Sequence, residues 1–244
     1  MEVNILNLFP TPVVIFKYPQ SLKKELKIIE KILGEGTNRE VIKDQVWDEK
    51  TKTYKFEYKT YEKIQHPEHA TSTSRCSNNS FVLENEGLSS IKTFITQALN
   101  EYMKNVFGAA NELIITQSWL NVFSKGDYHE PHGHPNSIVS GLLYPFVDKS
   151  MSGLSFFIKE SPLAQKTNFS FNDVKATEYN STSFTHTLTS GDLILFPSTL
   201  YHGVSENNSP RARISLAFNS WLQGGLGSME ELSYAPPQGN ITWN

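Results

Sequence analysis

Histidines are the residues of this sequence best suited to chemistry. Three of the seven lie in one short run, Tyr128-His129-Glu130-Pro131-His132-Gly133-His134-Pro135. In an extended chain the side chains alternate between faces, so His132 and His134 are predicted to project together and His129 to the opposite side, at the rim or surface. Two imidazoles on one face can chelate a metal ion, and a further ligand must then come from a distant segment.

His202 is the best candidate for that distant ligand. It follows a Ser-Gly-Asp turn at 190–192, an apolar strand at 193–196 and a corner at Pro197. Turn residues on either side of a short apolar run are typical of a buried strand. The segment therefore predicts a strand and a corner that can return His202 to the first two histidines.

A second polar strand follows a turn at 207–210. Arg213, Ser215 and Asn219 share one face of it, and the apolar residues between them share the other. A guanidinium buried without a partner is costly, so an inward-facing Arg213 predicts an anion beside it. A dicarboxylate would pair with Arg213 through two hydrogen bonds, and Ser215 could donate another.

Together these motifs resemble those of the double-stranded β-helix 2-oxoglutarate/Fe(II) oxygenases, whose pattern is His-x-Asp, a distal His and a downstream Arg-x-Ser. Three segments, Leu8–Val13, Ser140–Tyr144 and Arg213–Asn219, are similar more narrowly to a branch found in bacteria and in viruses of marine bacteria. The similarity spans Ile5–Leu222 and is weakest in 44–80.

The resemblance implies a mainly β fold with flanking helices, a double-stranded β-helix of the jelly-roll or cupin-like kind. It implies Fe(II) as cofactor, 2-oxoglutarate as co-substrate and hydroxylation of an unidentified substrate, with succinate and CO₂ as by-products. The iron chemistry would be the cofactor's, and the protein would orient the reactants and exclude water. The implied site residues are metal ligands at His132 and His202 and co-substrate contacts from Arg213, Ser215, Tyr144 and Asn121.

His134 departs from the family pattern because it stands where the superfamily has Asp or Glu. The expected metal site is therefore formed by His132, His134 and His202, which leaves one more positive charge at the metal than two histidines and a carboxylate would. Two alternatives stay open. In the first, only His132 and His202 bind the metal, as in the aspartyl/asparaginyl hydroxylases. In the second, Glu130 or Asp127 supplies the missing carboxylate, although the strand parity of both is poor.

Two further functions compete with this interpretation. A cupin-type dioxygenase with three histidines needs no co-substrate and would have no use for Arg213. A non-catalytic barrel, acting as a binding or virion module, would hold no iron and form no succinate.

The elements that must position these residues predict a single domain, with a helical buttress at 20–108, a β-barrel core at 113–222 and a C-terminal coil at 223–244. Helices are expected at 22–33, capped by Ser21, and at 88–107. Alternating aromatics at 54–58 predict a strand or hairpin that could belong to a lid. The remaining strands are expected at 13–16, 114–122, 138–144, 153–158, 184–188, 192–196 and 213–221.

Composition narrows the function classes. The chain has 244 residues, 38% of them hydrophobic, and a net charge of −3, so it lacks the basic field of a general nucleic-acid or membrane-surface binder. Its only cysteine, Cys76, excludes an internal disulfide and a cysteine-based zinc site. We expect a cytoplasmic enzyme, of a bacterial host if virus-encoded, that acts on a small molecule or a protein side chain; a homodimer is one option for its oligomeric state.

The other conspicuous residues have simpler interpretations. Loop positions are expected for His66 and His69, a cross-strand hydrogen bond for His186, core positions for Trp119 and Trp221, and no nucleophilic role for Cys76.

Overall fold

The computed structural model describes residues 10–35, 72–158, 174–175, 177 and 180–235, together with the backbone of two strands at 41–48 and 53–59. The predictions for His66, His69 and the coil at 236–244 lie outside these residues. No helix in the described part of the chain is long and apolar enough to cross a membrane.

Two helices form one layer. Helix α1 spans Lys23–Gly34, and Leu22 precedes it without a side-chain cap, so the expected cap from Ser21 is wrong. Helix α2 spans Ser89–Tyr102 and continues as a π-helical turn at Met103–Phe107. Gly108 ends it with φ +62°, a left-handed conformation that glycine adopts without steric cost.

The described residues also include two short 3-10 helices, at Val82–Glu84 and Glu86–Leu88, and twelve strands. In chain order, β1 to β12 are Val14–Lys17, Val41–Asp48, Thr53–Lys59, Arg75–Cys76, Glu112–Phe123, His129–His132, Val139–Phe146, Leu154–Phe157, Ser183–His186, Asp192–Pro197, Tyr201–Val204 and Arg213–Gln223. The seven strands expected outside 44–80 are present with small shifts at their ends. The short strands β4, β6 and β11 were not predicted.

The strands form two main sheets, which confirms the double-stranded β-helix fold. The larger sheet has the order β1-β10-β7-β12-β5-β4, and the smaller has the order β6-β11-β8-β9. Strands β2 and β3 pair separately as an antiparallel hairpin, as the alternation at 54–58 indicates. Burial of that hairpin's side chains and its role as a lid lie outside the described residues.

The larger sheet separates two apolar cores. On its outer face, Leu216 and Phe218 of β12 join a cluster with buried residues of both helices, including Ile29 and Ile95. On its inner face, Ala217 joins a second cluster with residues of the smaller sheet. Because neighbouring residues of a strand point to opposite faces, Arg213, Ser215 and Asn219 share the inner face, as the sequence predicts.

Candidate metal centre and co-substrate pocket

Pairing of two short strands brings the predicted metal ligands together. Strand β6 runs antiparallel to β11, and His132 lies directly opposite His202 in that pairing. Their ring centroids are 4.5 Å apart. Imidazoles from segments remote in sequence therefore share one end of the smaller sheet.

His134 completes the cluster from the loop after β6. Its backbone N–H donates to Ser198 O at 2.8 Å, and its Nε2 lies 3.2 Å from His202 Nε2. One ligating nitrogen from each of the three imidazoles lies within 4.8 Å of the others. Two nitrogens bound at right angles to a metal about 2.1 Å away would be about 3 Å apart, so the spacing suits a shared ion.

Hydrogen bonds at the opposite ring nitrogen orient two of the imidazoles. His132 Nδ1 lies 3.0 Å from Glu130 O, and His202 Nδ1 lies 3.0 Å from Leu200 O. A carbonyl oxygen accepts, so each Nδ1 carries the proton and each Nε2 keeps its lone pair. Ligating histidines are commonly fixed by such a hydrogen bond.

Burial favours the neutral form of His202 and of His129. It lowers the pKa of His202 to about 3, the hydrogen bond to Leu200 opposes that shift, and the neighbouring imidazoles lower the pKa further. Burial and the charges of His132, His134 and Arg213 lower the pKa of His129 to about 4. His202 and His129 are therefore neutral at pH 7 and can offer lone pairs.

His129 does not project away from the cluster, so that prediction is wrong. Its ring stacks on that of His132 with a centroid distance of 4.0 Å, and it lines the same cavity. The cause is a β-bulge: the four residues from His129 to His132 oppose the three from His202 to Val204, which reverses the parity of an ideal strand. Gly203 permits this approach, because a Cβ there would lie 2.9 Å from His129 O.

Neither carboxylate alternative joins the cluster. Glu130 is exposed, and the carboxylate of Asp127 accepts from the backbone N–H of Ser124 at 2.7 Å in a turn. The only group of three potential ligands in the described ranges is His132, His134 and His202.

The histidines open into a cavity of about 310 Å³ between the two sheets. Its walls carry apolar side chains of the inner core, among them Leu142 and Phe196, and every co-substrate residue expected from the sequence. Those residues are Asn121, Tyr144, Arg213 and Ser215.

Arg213 is fully buried in this cavity wall. Its Nη1 donates to Ser152 O at 2.9 Å, and its guanidinium lies 4.5 Å from the Phe123 ring centroid, but its Nε has no hydrogen-bond partner among the described residues. Burial lowers the pKa of Arg213, and Tyr144 opposes the shift. No carboxylate in the described part of the chain is within ion-pair distance, so the charge lacks an anion.

The other predicted co-substrate residues surround that charge. Tyr144 has a buried hydroxyl that has no partner in the part of the chain that the structure describes, and burial raises its pKa, so it stays protonated and can donate. Ser215 is buried beside Arg213 on β12. The side-chain oxygen of Asn121 accepts from Trp119 Nε1 at 3.1 Å and from Cys76 Sγ at 3.2 Å, which fixes its amide.

The site thus fits both groups that the sequence resemblance implies. Three neutral imidazoles are competent ligands for Fe(II). An orphaned guanidinium Nε and an orphaned tyrosine hydroxyl in one cavity match the needs of a carboxylate end of 2-oxoglutarate.

Comparison with known proteins agrees with this geometry. Residues 117–219 match a protein family described as "Putative 2OG-Fe(II) oxygenase". This barrel region is similar in sequence to that of the 2-oxoglutarate/Fe(II) oxygenases. The matched residues include all three histidines and the four expected co-substrate residues. Among the curated proteins, none matches the sequence.

Solved structures share the oxygenase fold at low sequence identity. A Pseudomonas putida prolyl-4-hydroxylase matches with a TM-score of 0.51 and 12% identity, covering 87% of this chain and 92% of its own. The non-haem α-ketoglutarate-dependent epimerase SnoN from nogalamycin biosynthesis matches with a TM-score of 0.56 and 11% identity, covering 95% of this chain and 83% of its own. The carbocyclase SnoK from the same biosynthesis matches with a TM-score of 0.53 and 14% identity, covering 94% of this chain and 90% of its own.

Residues expected to be structural have mixed outcomes. Trp119 lies in the inner core but also lines the cavity, and Trp221 is only half buried. His186 has a buried Nε2 without a hydrogen bond, 3.6 Å from Asp192, so a cross-strand hydrogen bond from that atom is wrong. Cys76 also lines the cavity. It is remote from Asn121 in the sequence, so the sequence alone does not predict this position.

Proposed function

We propose that this oxygenase is a hydroxylase that binds iron through His132, His134 and His202 and 2-oxoglutarate through Arg213. One observation carries the proposal: three converging imidazoles and a buried guanidinium, which has no carboxylate beside it in the described ranges, open into one cavity. The substrate we envisage is a small molecule or a protein side chain.

When bound, Fe(II) and 2-oxoglutarate supply the O₂ activation that oxidises a substrate C–H bond, with release of succinate and CO₂. Arg213 holds the distal carboxylate of the co-substrate, and Tyr144 donates its buried hydroxyl to the same group. Ser215 and Asn121 line the path between this anchor and the histidines. Apolar walls at Leu142 and Phe196 exclude water.

The role of His134 separates this proposal from an enzyme with two histidine ligands. The 3.2 Å between the Nε2 atoms of His134 and His202 supports ligation, because two nitrogens bound at right angles to one metal lie about 3 Å apart. His134→Asp would restore the carboxylate of the common family pattern. We expect this variant to retain Fe(II) and to show a lowered reduction potential, because a carboxylate neutralises one charge. Unchanged iron affinity and potential in both His134→Ala and His134→Asp would favour two ligands.

Anaerobic titration of Fe(II) and then 2-oxoglutarate tests the proposal. We expect the weak visible charge-transfer band of the metal-bound oxo acid to appear with one equivalent of each. Wild-type protein that binds Fe(II) but never develops the band would falsify the co-substrate assignment.

A cupin-type dioxygenase is the rival that three histidines specifically favour. It would turn over without the oxo acid, so Arg213→Ala would keep full activity. We expect instead that this variant loses succinate formation while still binding iron. When a substrate is then added, the mass that its product gains would distinguish hydroxylation from epimerisation or ring closure.

A further inference from the structure

The cavity has two ends that the register of β5 and β12 defines. Arg213 pairs with Phe123, and Asn219 pairs with Gln117. All four side chains line the cavity. Six residues of strand separate the two pairs, or roughly 20 Å at about 3.3 Å per residue. The end at Asn219 is therefore remote from the co-substrate anchor.

The histidines lie beside the Asn219 end. His202 packs against Phe196 with a ring-centroid distance of 4.6 Å, and Phe196 pairs with Ser140. Ser140 in turn pairs with Asn219 across β7 and β12. Asn219 thus belongs to the row of the sheet that the metal-binding imidazoles face, and no role in holding iron or co-substrate has been assigned to it.

A buried chain of hydroxyls fixes the Asn219 side chain. Ser140 Oγ donates to Asn219 Oδ1 at 2.8 Å and lies 2.8 Å from Ser198 Oγ, which lies 2.7 Å from Ser137 Oγ. Ser140 and Ser198 are each 1% exposed. Three serines that hold one amide in place make a pre-organised hydrogen-bonding group, because its orientation is set before any ligand arrives.

The held amide leaves its donor available to the cavity. With Oδ1 engaged by Ser140, the two N–H groups of Asn219 Nδ2 have no acceptor within the part of the chain that the structure describes. The neighbouring Gln117 is exposed and also lines the cavity. A ligand beside the histidines at this end of the cavity can accept a hydrogen bond from this amide.

Charge at this end of the cavity points to a neutral ligand. The described lining residues include no carboxylate and no lysine, and the one permanently charged side chain, Arg213, lies at the far end. A cationic ligand group buried beside Asn219 would lack a counter-ion and would be repelled by the bound metal ion, whereas an anionic group would be drawn to that ion as a ligand, so a neutral polar group suits the amide best.

We propose that Asn219 is a specificity-determining residue that selects substrates with a neutral carbonyl acceptor, such as an amide, close to the carbon that reacts. The inference rests on the proposed function, because the reacting carbon must lie beside the iron. Asn219 donates through Nδ2 to the substrate oxygen, while Ser140 keeps the amide from rotating.

Three probes with one branched carbon skeleton test this selection: N,N-dimethylisobutyramide, isobutyrate and isobutylamine. The first offers a neutral acceptor without a donor, and the others offer an anion and a cation. Binding is measured by ligand-observed NMR on protein loaded with Zn(II) and 2-oxoglutarate, which cannot turn over. Variants are Asn219→Asp, which removes the donor, and Asn208→Asp, the same change at an exposed residue outside the cavity.

We expect wild type to bind the tertiary amide more tightly than the two ions. Asn219→Asp should weaken that binding about tenfold and favour isobutylamine, while Asn208→Asp should change neither. If Asn219→Asp does not fold, Asn219→Ala tests the same donor. The Fe(II)–2-oxoglutarate band of each protein separates the two ideas: without the band in wild type the proposed function fails. With the band present, an amide that binds no better than the ions, or equally to both Asn219 forms, overturns the role of Asn219.

Discussion

The two faces of the larger sheet are built from the same strands but have opposite properties. Outward residues such as Leu216 and Phe218 are fully buried against the helices in a continuous apolar cluster. Inward residues such as Arg213 and Ser215 are equally buried but polar, and they face a cavity. Burial alone therefore does not distinguish a stabilising residue from a ligand-binding one.

Hydrogen bonding makes the distinction. Arg213 Nε and Tyr144 Oη are buried on the inner face and have no partner among residues 10–35, 72–158 and 180–235, which costs free energy in the absence of a ligand. The outer face recovers free energy through apolar burial. The comparison teaches that the outer face serves stability alone, whereas the inner face combines an apolar core with groups that can bind a ligand.

Removing a metal ligand on the inner side should have the largest effect. His202→Ala deletes the imidazole that β11 holds opposite His132. Removing a residue that only hydrogen-bonds to a metal ligand lowers activity roughly 10- to 100-fold. We expect turnover of His202→Ala to fall by more than this, because coordination itself is lost. Anaerobic iron titration and succinate release measure it. His186→Ala, outside the cluster, is the control, and iron binding preserved in His202→Ala would refute the assignment.

Replacing the buried charge should reduce binding without reducing stability. Arg213→Met has a similar volume and needs no anion. We expect the KM for 2-oxoglutarate to rise about 10- to 100-fold, since charge-assisted hydrogen bonds contribute about 1.5–3 kcal/mol each. The unliganded protein should melt at the same temperature or higher. A clear fall in Tm with an unchanged KM would instead make Arg213 a structural residue.

An adjacent pair of residues on β12 sharpens the contrast between the faces. Leu216→Ala should reduce the free energy of unfolding by about 2–5 kcal/mol through lost packing and a new cavity. Ser215→Ala, on the opposite face, should change it by about 1 kcal/mol or less but weaken 2-oxoglutarate binding. Denaturant unfolding and the KM measure the two effects. Equal destabilisation by both changes would contradict the division of roles.

The smallest effect is expected at the edge of the sheet. Asp192 on β10 receives hydrogen bonds from Lys17 of β1 and from Thr189. Burial raises the pKa of Asp192, but these hydrogen bonds outweigh it and the net shift is downward. A lowered folded-state pKa contributes stability above about pH 4, the unfolded value, which is lost as pH falls through the folded value. Lys17 is 55% exposed, so we expect no more than about 1 kcal/mol.

Acid unfolding of Asp192→Asn tests this expectation. The variant should be less stable than wild type at pH 7 and should lose less stability on going from pH 5 to pH 2. Parallel stability profiles for the two proteins would show that other carboxylates set the acid limit.

Regular strands were readable from the sequence, and an irregular one was not. The alternation in β12 correctly predicts that Arg213 and Ser215 share the face opposite Leu216, because an ideal strand has a period of two. The same rule misplaces His129, because a bulge adds one residue to β6 opposite Gly203. Bulges depend on the partner strand, which a local pattern does not contain.

The long-range contacts of the site could not be predicted from the sequence for the same reason. The hydroxyl chain from Ser137 to Asn219 joins residues on three segments, and none of the single residues is conspicuous. The sequence does place Ser140 and Asn219 on predicted strands, at positions that face inward. Recognising them needed the strand order, which short antiparallel segments do not specify.

The long separation between the ligand segments has a thermodynamic consequence. His134 and His202 are 68 residues apart in the chain, so an ion that both bind closes a loop of that length. Closing such a loop restricts the unfolded ensemble, and an ion that prefers the folded state stabilises it by mass action. Bound iron would thus act as a reversible cross-link between the two segments. The melting temperature of the protein would rise with the concentration of free metal.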